Sequence, residues 1–564
     1  MNPKKSAIFG DSICRLFIDR LKIQLDKHCA NENYKLLNHG IASETSEEAL
    51  KRLNKVIEDN PHTVIIEFGM NDLRKDISQK EFCKNIEFMI DEIQSKTDAR
   101  VIPVTINPAI GFEDKVDEYN ELIRQIARKK ALKIADAAAL WKKKVKNNKS
   151  ALRDDLHPNA KGIDIFVEAI MHIITREHTV LLWQYNSREA KCNYRCPYCY
   201  YIGLHNPKDK FFGTIEQWEE AFTESFGKQN LIFYLAFGEP TIGGKFYDIV
   251  EMIGRHQNWQ MRMTSNVSQD LTKLMESKIA KDGRLYINAS YHPLAVDRDD
   301  FLEKILNLRE NGIEVPIVYV TYPPFLERME DDIDFFSFQH GFVVHVRRFQ
   351  GWYKGEEYPY AFTDEKRRLI AKYSDDGMIR YMLNQQHNTG DLTYSGLHFF
   401  AIDNVGNVGY DSNLFKPYTK YRCIFGNVFQ DNFWPLLSPG PYPGRREGTV
   451  DGIANLVDAG YKELRGNNVA SFARQGGVYK DDNGKVHYKH LNTDFTDSKI
   501  RAKYNFPPRN QKDKKALADH DKSQYKRMRK LIYKRKLRTF ARNHPRWKNF
   551  AMKILGVKIV QKFK

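Results

Sequence analysis

The feature that most constrains this chain is a twice-repeated alternation of short apolar runs with longer amphipathic stretches. In the first series, residues 6–10, 63–68 and 100–105 read as strands, and residues 13–28 as a helix. The runs at 63–68 and 100–105 have the apolar character of parallel strands covered on both faces. A final helix over 159–175 closes the unit. Strand–helix alternation of this kind predicts a doubly wound parallel sheet. A second series begins at residue 179, with strand-like runs at 179–185, 231–236, 260–264, 285–289, 315–321 and 342–346. Helix-like stretches such as 215–226 and 301–311 lie between them. Six such units predict a partial (β/α)6 barrel whose site lies at the C-terminal ends of the strands.

At 564 residues the chain exceeds a single core, so several domains are expected. The reading is α/β throughout, with a doubly wound domain over 1–175 and a partial barrel over 176–350. A degenerate auxiliary region follows over 351–440, with a hairpin-like segment at 399–410. An irregular, Gly/Pro-rich segment occupies 441–510 and a basic helical tail 511–564. No apolar run approaches the ~18–20 residues of a membrane span, and the N-terminus lacks the apolar stretch of a secretory signal. Seven cysteines are too few and odd in number for a disulfide framework, so a cytoplasmic location is expected.

Three of those cysteines, Cys192, Cys196 and Cys199, form a C-x3-C-x2-C loop just after the first strand of the second series. Three thiolates bind three irons of a four-iron cluster and leave one iron open. The rival is a Cys3His zinc site completed by a histidine such as His205. A second motif, Gly238-Glu239-Pro240, ends the second strand. Together with Tyr198, which precedes the last cysteine, these residues resemble the radical S-adenosylmethionine (radical SAM) superfamily over residues 179–350. The resemblance implies a [4Fe–4S] cluster held by the three cysteines, with S-adenosylmethionine bound at its open iron. It further implies that Glu239 holds the methionine amino group beside Gly238 and Tyr198, with Asn266 and Ser290 lining the same site. Phe237 stands where the family has a glycine. An electron donor such as flavodoxin or ferredoxin is implied as well. Residues 395–435 resemble a degenerate SPASM/twitch-like region in which Cys423 is left alone, so one cluster in total is expected.

In the first series, Gly10-Asp11-Ser12 places a serine at a strand-to-helix turn, where free helix N–H groups can stabilise an oxyanion. Asn71 follows the strand at 63–68. Asp154 precedes His157 by three residues, a spacing that lets an acid orient a base. In this order the residues resemble the SGNH (GDSL-like) hydrolases over 5–175. The resemblance implies Ser12 as nucleophile, His157 as general base and Asp154 as its orienter, with the Ser12 N–H and the Asn71 amide in the oxyanion hole. Ser43 stands where the family has a glycine. Its N–H remains a donor while its side chain crowds the acyl pocket.

The net charge of +17 is local. Residues 501–564 hold 22 Lys and Arg against 3 Asp, which leaves −2 on residues 1–500. Met528, Leu531, Ile532 and Tyr533 interleave the cations. Such a tail reads equally as a peripheral anchor for an anionic membrane face and as a solvated helix or disordered tail, with nucleic acid behind both. The chain as a whole reads as a bifunctional enzyme acting on a small-molecule or glycan substrate. Its alternatives are a peptide-modifying radical enzyme with a vestigial hydrolase domain, and a non-enzymatic RNA- or membrane-binding scaffold.

Overall fold

The computed structural model describes residues 3–29, 33–185, 211–236 and 238–349, positions 192–194, 196, 198 and 199 of the cysteine loop, and short pieces of the remainder up to residue 488. Expectations for Phe237, His205, Cys423 and the tail over 511–564 fall outside the described residues.

The first sheet has four parallel strands, β1 Lys4–Gly10, β2 Tyr34–Gly40, β3 Thr63–Glu67 and β4 Arg100–Pro103, in the order β2-β1-β3-β4. A parallel bridge between Val104 and Ala135 continues the pairing beyond β4. Strand β3 is buried along its length and β1 from Ser6 onward, as the apolar runs require. β1 feeds the helix Ser12–His28 through a turn in which Asp11 caps the first turn by accepting the Ile13 N–H at 2.8 Å. Gly10 is needed there, because a Cβ would stand 2.3 Å from Cys14 Sγ and 2.4 Å from the Glu67 carbonyl oxygen.

The second sheet has nine strands. Six run parallel in chain order: β5 His178–Trp183, β6 Asn230–Leu235, β7 Trp259–Ser265, β8 Leu285–Tyr291, β9 Ile317–Thr321 and β10 Val344–Arg348. Each end falls within two residues of the sequence expectation. An aromatic layer packs β5, β6 and β7 against the helix Ile215–Phe226, with Trp183–Trp218, Phe222–Phe233 and Phe233–Trp259 centroids 4.8, 5.0 and 5.0 Å apart. Side chains alternate along a strand, so the opposite, inner face carries Tyr234, Arg262, Thr264, Asn288 and Ser290. The Arg262 guanidinium lies 4.2 Å over the Tyr234 ring, and Tyr234 Oη bonds Thr264 Oγ1 at 3.1 Å.

Both sheets lie in one compact unit; β11 Gly351–Tyr353 and β12 Glu356–Tyr358 form an antiparallel pair in a second. β13 Leu392–Thr393 pairs with Tyr442–Pro443. The hairpin expected near 399–410 is present as β14 Phe399–Ile402 and β15 Asn407–Gly409, and it extends the nine-stranded sheet. β14 pairs in parallel with β5, from Phe399 opposite Val180 to Ile402 opposite Trp183. β16 Ile424–Asn427 then adds antiparallel to β15. The two sheets meet through polar contacts: Lys133 Nζ reaches His398 Nδ1 at 2.5 Å, His398 Nε2 donates to the His172 carbonyl at 2.7 Å, and Gln229 Nε2 donates to the Ala131 carbonyl at 3.0 Å. No helix among the described residues is long and apolar enough to cross a membrane.

Candidate active sites

The first site stands beyond the C-terminal ends of β1 and β3. Ser12, at the first position of its helix, has its Oγ 3.4 Å from His157 Nε2. On the other side of the ring, His157 Nδ1 lies 3.0 and 3.2 Å from the two Asp154 carboxylate oxygens. Asp154 Oδ1 also accepts the His157 and Leu156 N–H groups at 2.6 and 2.8 Å. Partial burial opposes the charge, but these two amides and the ring outweigh it and bring the Asp154 carboxyl down to about 2. It is therefore an anion that fixes the Nδ1–H tautomer and leaves Nε2 to face the serine. The Asp154–His157 loop is held from behind, since Asn107 Nδ2 donates to the Leu156 carbonyl at 2.9 Å and the Ile110 N–H to the Asp155 carbonyl at 2.8 Å.

Asn71 sits beside the nucleophile turn as the sequence suggests, yet both hydrogens of its amide are engaged. Nδ2 donates to Asp11 Oδ2 at 2.9 Å and to the Glu44 carbonyl at 3.2 Å. The Ser12 N–H belongs to the first turn of its helix, where backbone donors lack intrahelical partners. Ser43 is exposed and adopts φ +63°, so the left-handed backbone of the usual glycine persists without the glycine. Glu44 is tied down by a buried ion pair with Arg52, whose guanidinium lies 4.7 Å over the Phe9 ring.

Sequence reasoning missed a buried acid pair beside Ser12. Glu67 and Asp11 are 0 % and 1 % exposed. Burial pushes Asp11 up to about 7 and Glu67 well above the usual carboxylate range, each raised further by a neighbouring acid.

The second site lies over β5 to β9. Glu239 follows β6, is fully buried, and accepts four hydrogen bonds. Oε1 takes Thr241 Oγ1 at 2.7 Å, Thr241 N at 3.3 Å and Ser265 Oγ at 2.8 Å, while Oε2 takes Asn266 N at 2.6 Å. Gly238 before it has φ +64°, a backbone that favours glycine. Tyr185 Oη donates to the Pro240 carbonyl at 2.6 Å and anchors the turn. Asn266 Nδ2 reaches Cys192 Sγ at 3.6 Å and Asn193 Oδ1 at 3.0 Å. Ser290 is buried on β8, in register with Val318 of β9.

Cys192, Cys196 and Cys199 are all free thiols. Burial raises Cys192, and raises Cys196 to about 11, and the neighbouring cysteines add to both shifts. Tyr198 packs among His292, Tyr322 and Phe325 at 5.8, 5.0 and 6.1 Å. His292 is a further residue that sequence reasoning missed. It stands at the tip of β8, two positions after Ser290, with Nδ1 3.4 Å from Cys196 Sγ and 3.0 Å from Tyr198 Oη. The rule that sites collect at strand C-terminal ends could have found it.

Residues 8–165 match the GDSL-like Lipase/Acylhydrolase family model, and residues 190–336 match that of the Radical SAM superfamily. This chain joins a GDSL-like acylhydrolase domain to a radical SAM domain. It is thus an enzyme with two catalytic domains. Similar solved structures include the acetylxylan esterase Axe2 from Geobacillus stearothermophilus, at 19% identity and TM-score 0.28, over 30% of this chain and 92% of that one. Another is LAE5, an α/β hydrolase from the metagenome of Lake Arreo, Spain, at 18% identity and TM-score 0.28, over 30% and 93%. No curated protein matches the chain.

Membership of the radical SAM superfamily implies an iron–sulfur cluster and S-adenosylmethionine, and the donor set of this domain suits them. Three sulfur ligands on one loop favour iron–sulfur ligation. Among the described residues no three His, Cys, Asp or Glu side chains gather about one ion position. A cubane takes its thiolates at separate irons, so such convergence is not required. Among the described residues, His292 is a histidine that stands beside one of these sulfurs, that of Cys196.

Proposed function

We propose that the hydrolase domain cleaves or transfers acyl esters on a glycan or glycan precursor, and that the radical SAM domain modifies the same compound. The assembled Ser12–His157–Asp154 chain carries the first half of this reading. Ser12 Oγ attacks the ester carbonyl as its proton passes to His157 Nε2. Asp154 stabilises the resulting imidazolium, and the Ser12 and Ser43 N–H groups receive the oxyanion. His157 then returns the proton to the departing alcohol. The 3.4 Å Ser12–His157 separation is in keeping with the looser contacts of ligand-free sites. Asn71 serves as the brace between Asp11 and Glu44.

In the second domain, Cys192, Cys196 and Cys199 would hold one [4Fe–4S] cluster. When bound, the cluster and S-adenosylmethionine would supply one-electron cleavage of the sulfonium C–S bond and hydrogen abstraction from the substrate. Glu239 Oε2, with one internal donor against three on Oε1, receives the methionine ammonium. Asn266, Ser290, Gly238 and Tyr198 shape the same wall. A flavodoxin- or ferredoxin-like donor supplies the electron. The basic segment 511–564 holds the enzyme at an anionic membrane face where lipid-linked glycans are built.

Two variants test this. Ser12→Ala should abolish hydrolysis of a simple acetyl ester, and Cys199→Ala should leave it intact. Anaerobically reconstituted wild type should form 5′-deoxyadenosine, and Cys199→Ala none. Ester turnover unaffected by Ser12→Ala would end the hydrolase assignment. S-adenosylmethionine cleavage by Cys199→Ala would end the radical one. Glycan profiles of cells carrying each variant should differ from wild type in one shared product; unrelated changes would separate the two activities.

A further inference from the structure

Two of the three cluster cysteines meet a nitrogen from the barrel strands. Cys192 Sγ receives Asn266 Nδ2 at 3.6 Å. That asparagine is pinned at its backbone N–H and at both side-chain polar atoms: its N–H goes to Glu239 Oε2, Nδ2 also reaches Asn193 Oδ1 at 3.0 Å, and Oδ1 accepts the Ser268 N–H at 3.0 Å. Asn193 in turn donates to Ser268 Oγ at 2.9 Å, which ties the loop to the end of β7. On the other side, His292 Nδ1 lies 3.4 Å from Cys196 Sγ and 3.0 Å from Tyr198 Oη, so the sulfur and the phenol oxygen share this nitrogen. The imidazole is sandwiched, with Tyr198 stacked at 5.8 Å and an interplanar angle of 17°, and Tyr194 edge-on at 5.7 Å.

A cysteine that ligates iron has lost its proton and can only accept hydrogen bonds. Each N–H aimed at such a sulfur offsets negative charge, and it does so more strongly after the cluster gains an electron. Donors to the sulfurs therefore raise the reduction potential and fix the ligand's orientation.

We propose that His292 is a positioning residue for the cluster, delivering its Nδ1–H to Cys196 as Asn266 delivers its amide to Cys192, and thereby raising the cluster's reduction potential. This rests on the radical SAM reading of the cysteine loop. His292 does not touch S-adenosylmethionine or substrate in this role; it acts through Cys196.

The test compares reconstituted full-length wild type with His292→Phe, which keeps a ring between the two tyrosines but loses the nitrogen, and His292→Gln, which keeps an N–H. Iron is counted, and the potential is measured by titration followed through the electron paramagnetic resonance of the reduced cluster. Both variants should hold the wild-type complement of about four irons per chain, and His292→Phe should have a more negative potential than His292→Gln. Iron loss in His292→Phe that His292→Gln restores would equally support a required N–H. Equal potentials in the two variants at full iron content would overturn the proposal. Iron loss in both would also overturn it, since His292 would then be only a packing element. A wild type that assembles no cluster would instead refute the reading of the loop itself.

Discussion

Ser43 offers a direct way to weigh backbone strain against acyl-pocket shape. It holds φ +63° with an exposed side chain, and no side-chain hydrogen bond from its hydroxyl is seen among the described residues. A left-handed conformation costs an L-residue roughly 1–2 kcal/mol. Replacing it by glycine removes that strain but gives the unfolded chain extra freedom, a loss of about 0.5–1 kcal/mol. Ser43→Gly should therefore stabilise the hydrolase domain by about 0.5–1 kcal/mol. With a urea slope of about 2 kcal/mol per molar, the unfolding midpoint rises by roughly 0.3–0.5 M. The transition can be followed by tryptophan emission, because Trp141 is fully buried in that domain. The same variant removes the Cβ and hydroxyl beside the oxyanion donors, so acyl chains longer than acetyl should gain in kcat/KM relative to acetyl. A lower midpoint would refute the strain argument by showing that the serine side chain stabilises the loop. An unchanged acyl preference would show that this side chain does not border the acyl site.

Two other substitutions probe the floor of the same site. In Gly10→Ala the new methyl meets Cys14 Sγ at 2.3 Å and a backbone oxygen of Glu67 at 2.4 Å. Overpacking of that kind costs about 1–3 kcal/mol and displaces the turn that carries Ser12. Melting temperature and ester turnover should both fall, and wild-type turnover would contradict the tight packing. Glu67→Gln addresses the acid pair. The folded state raises both carboxyls, to about 7 for Asp11, so it binds more protons than the unfolded chain. Stability from this pair is full below the ordinary carboxylate range and is lost as pH rises toward 7. Glu67→Gln should flatten the decline in urea midpoint measured between about pH 5 and about pH 8. An unaltered slope would place the proton uptake elsewhere.

Motifs formed by neighbours in sequence were legible. Asp154 and His157 belong to one loop, and the Gly10–Ser12 turn joins a strand to the helix that follows it, so spacing sufficed. Of the six barrel strands, β5 and β6 declared themselves as mostly apolar, buried runs, whereas β7 and β10, which carry Arg262, His345 and Arg347, were legible from their place in the strand–helix alternation. β2 was not, since it is an edge strand whose Lys35, Asn38 and His39 break the pattern. The engagement of Asn71 was hidden because its acceptors, Asp11 and the Glu44 carbonyl, arrive from other segments. His292 was hidden for a similar reason. A lone histidine carries no pattern, and its partner Cys196 lies on a different strand connection.

The pairing of β14 with β5 bears on how the protein is made. More than two hundred residues separate Trp183 from Phe399, so β5 leaves the ribosome long before the neighbour that completes its sheet. At about 5–20 residues per second, its outer edge goes without that neighbour for roughly ten to forty seconds of synthesis. An open strand edge is a template for wrong pairing. The hydrolase domain, finished before β5 emerges, is the nascent structure beside it during that interval, with Ala131, Lys133 and His172 already in place to meet Gln229 and His398. A chain cut after β10 would carry the bare edge permanently, so the barrel is expected to need residues through β14 to remain soluble.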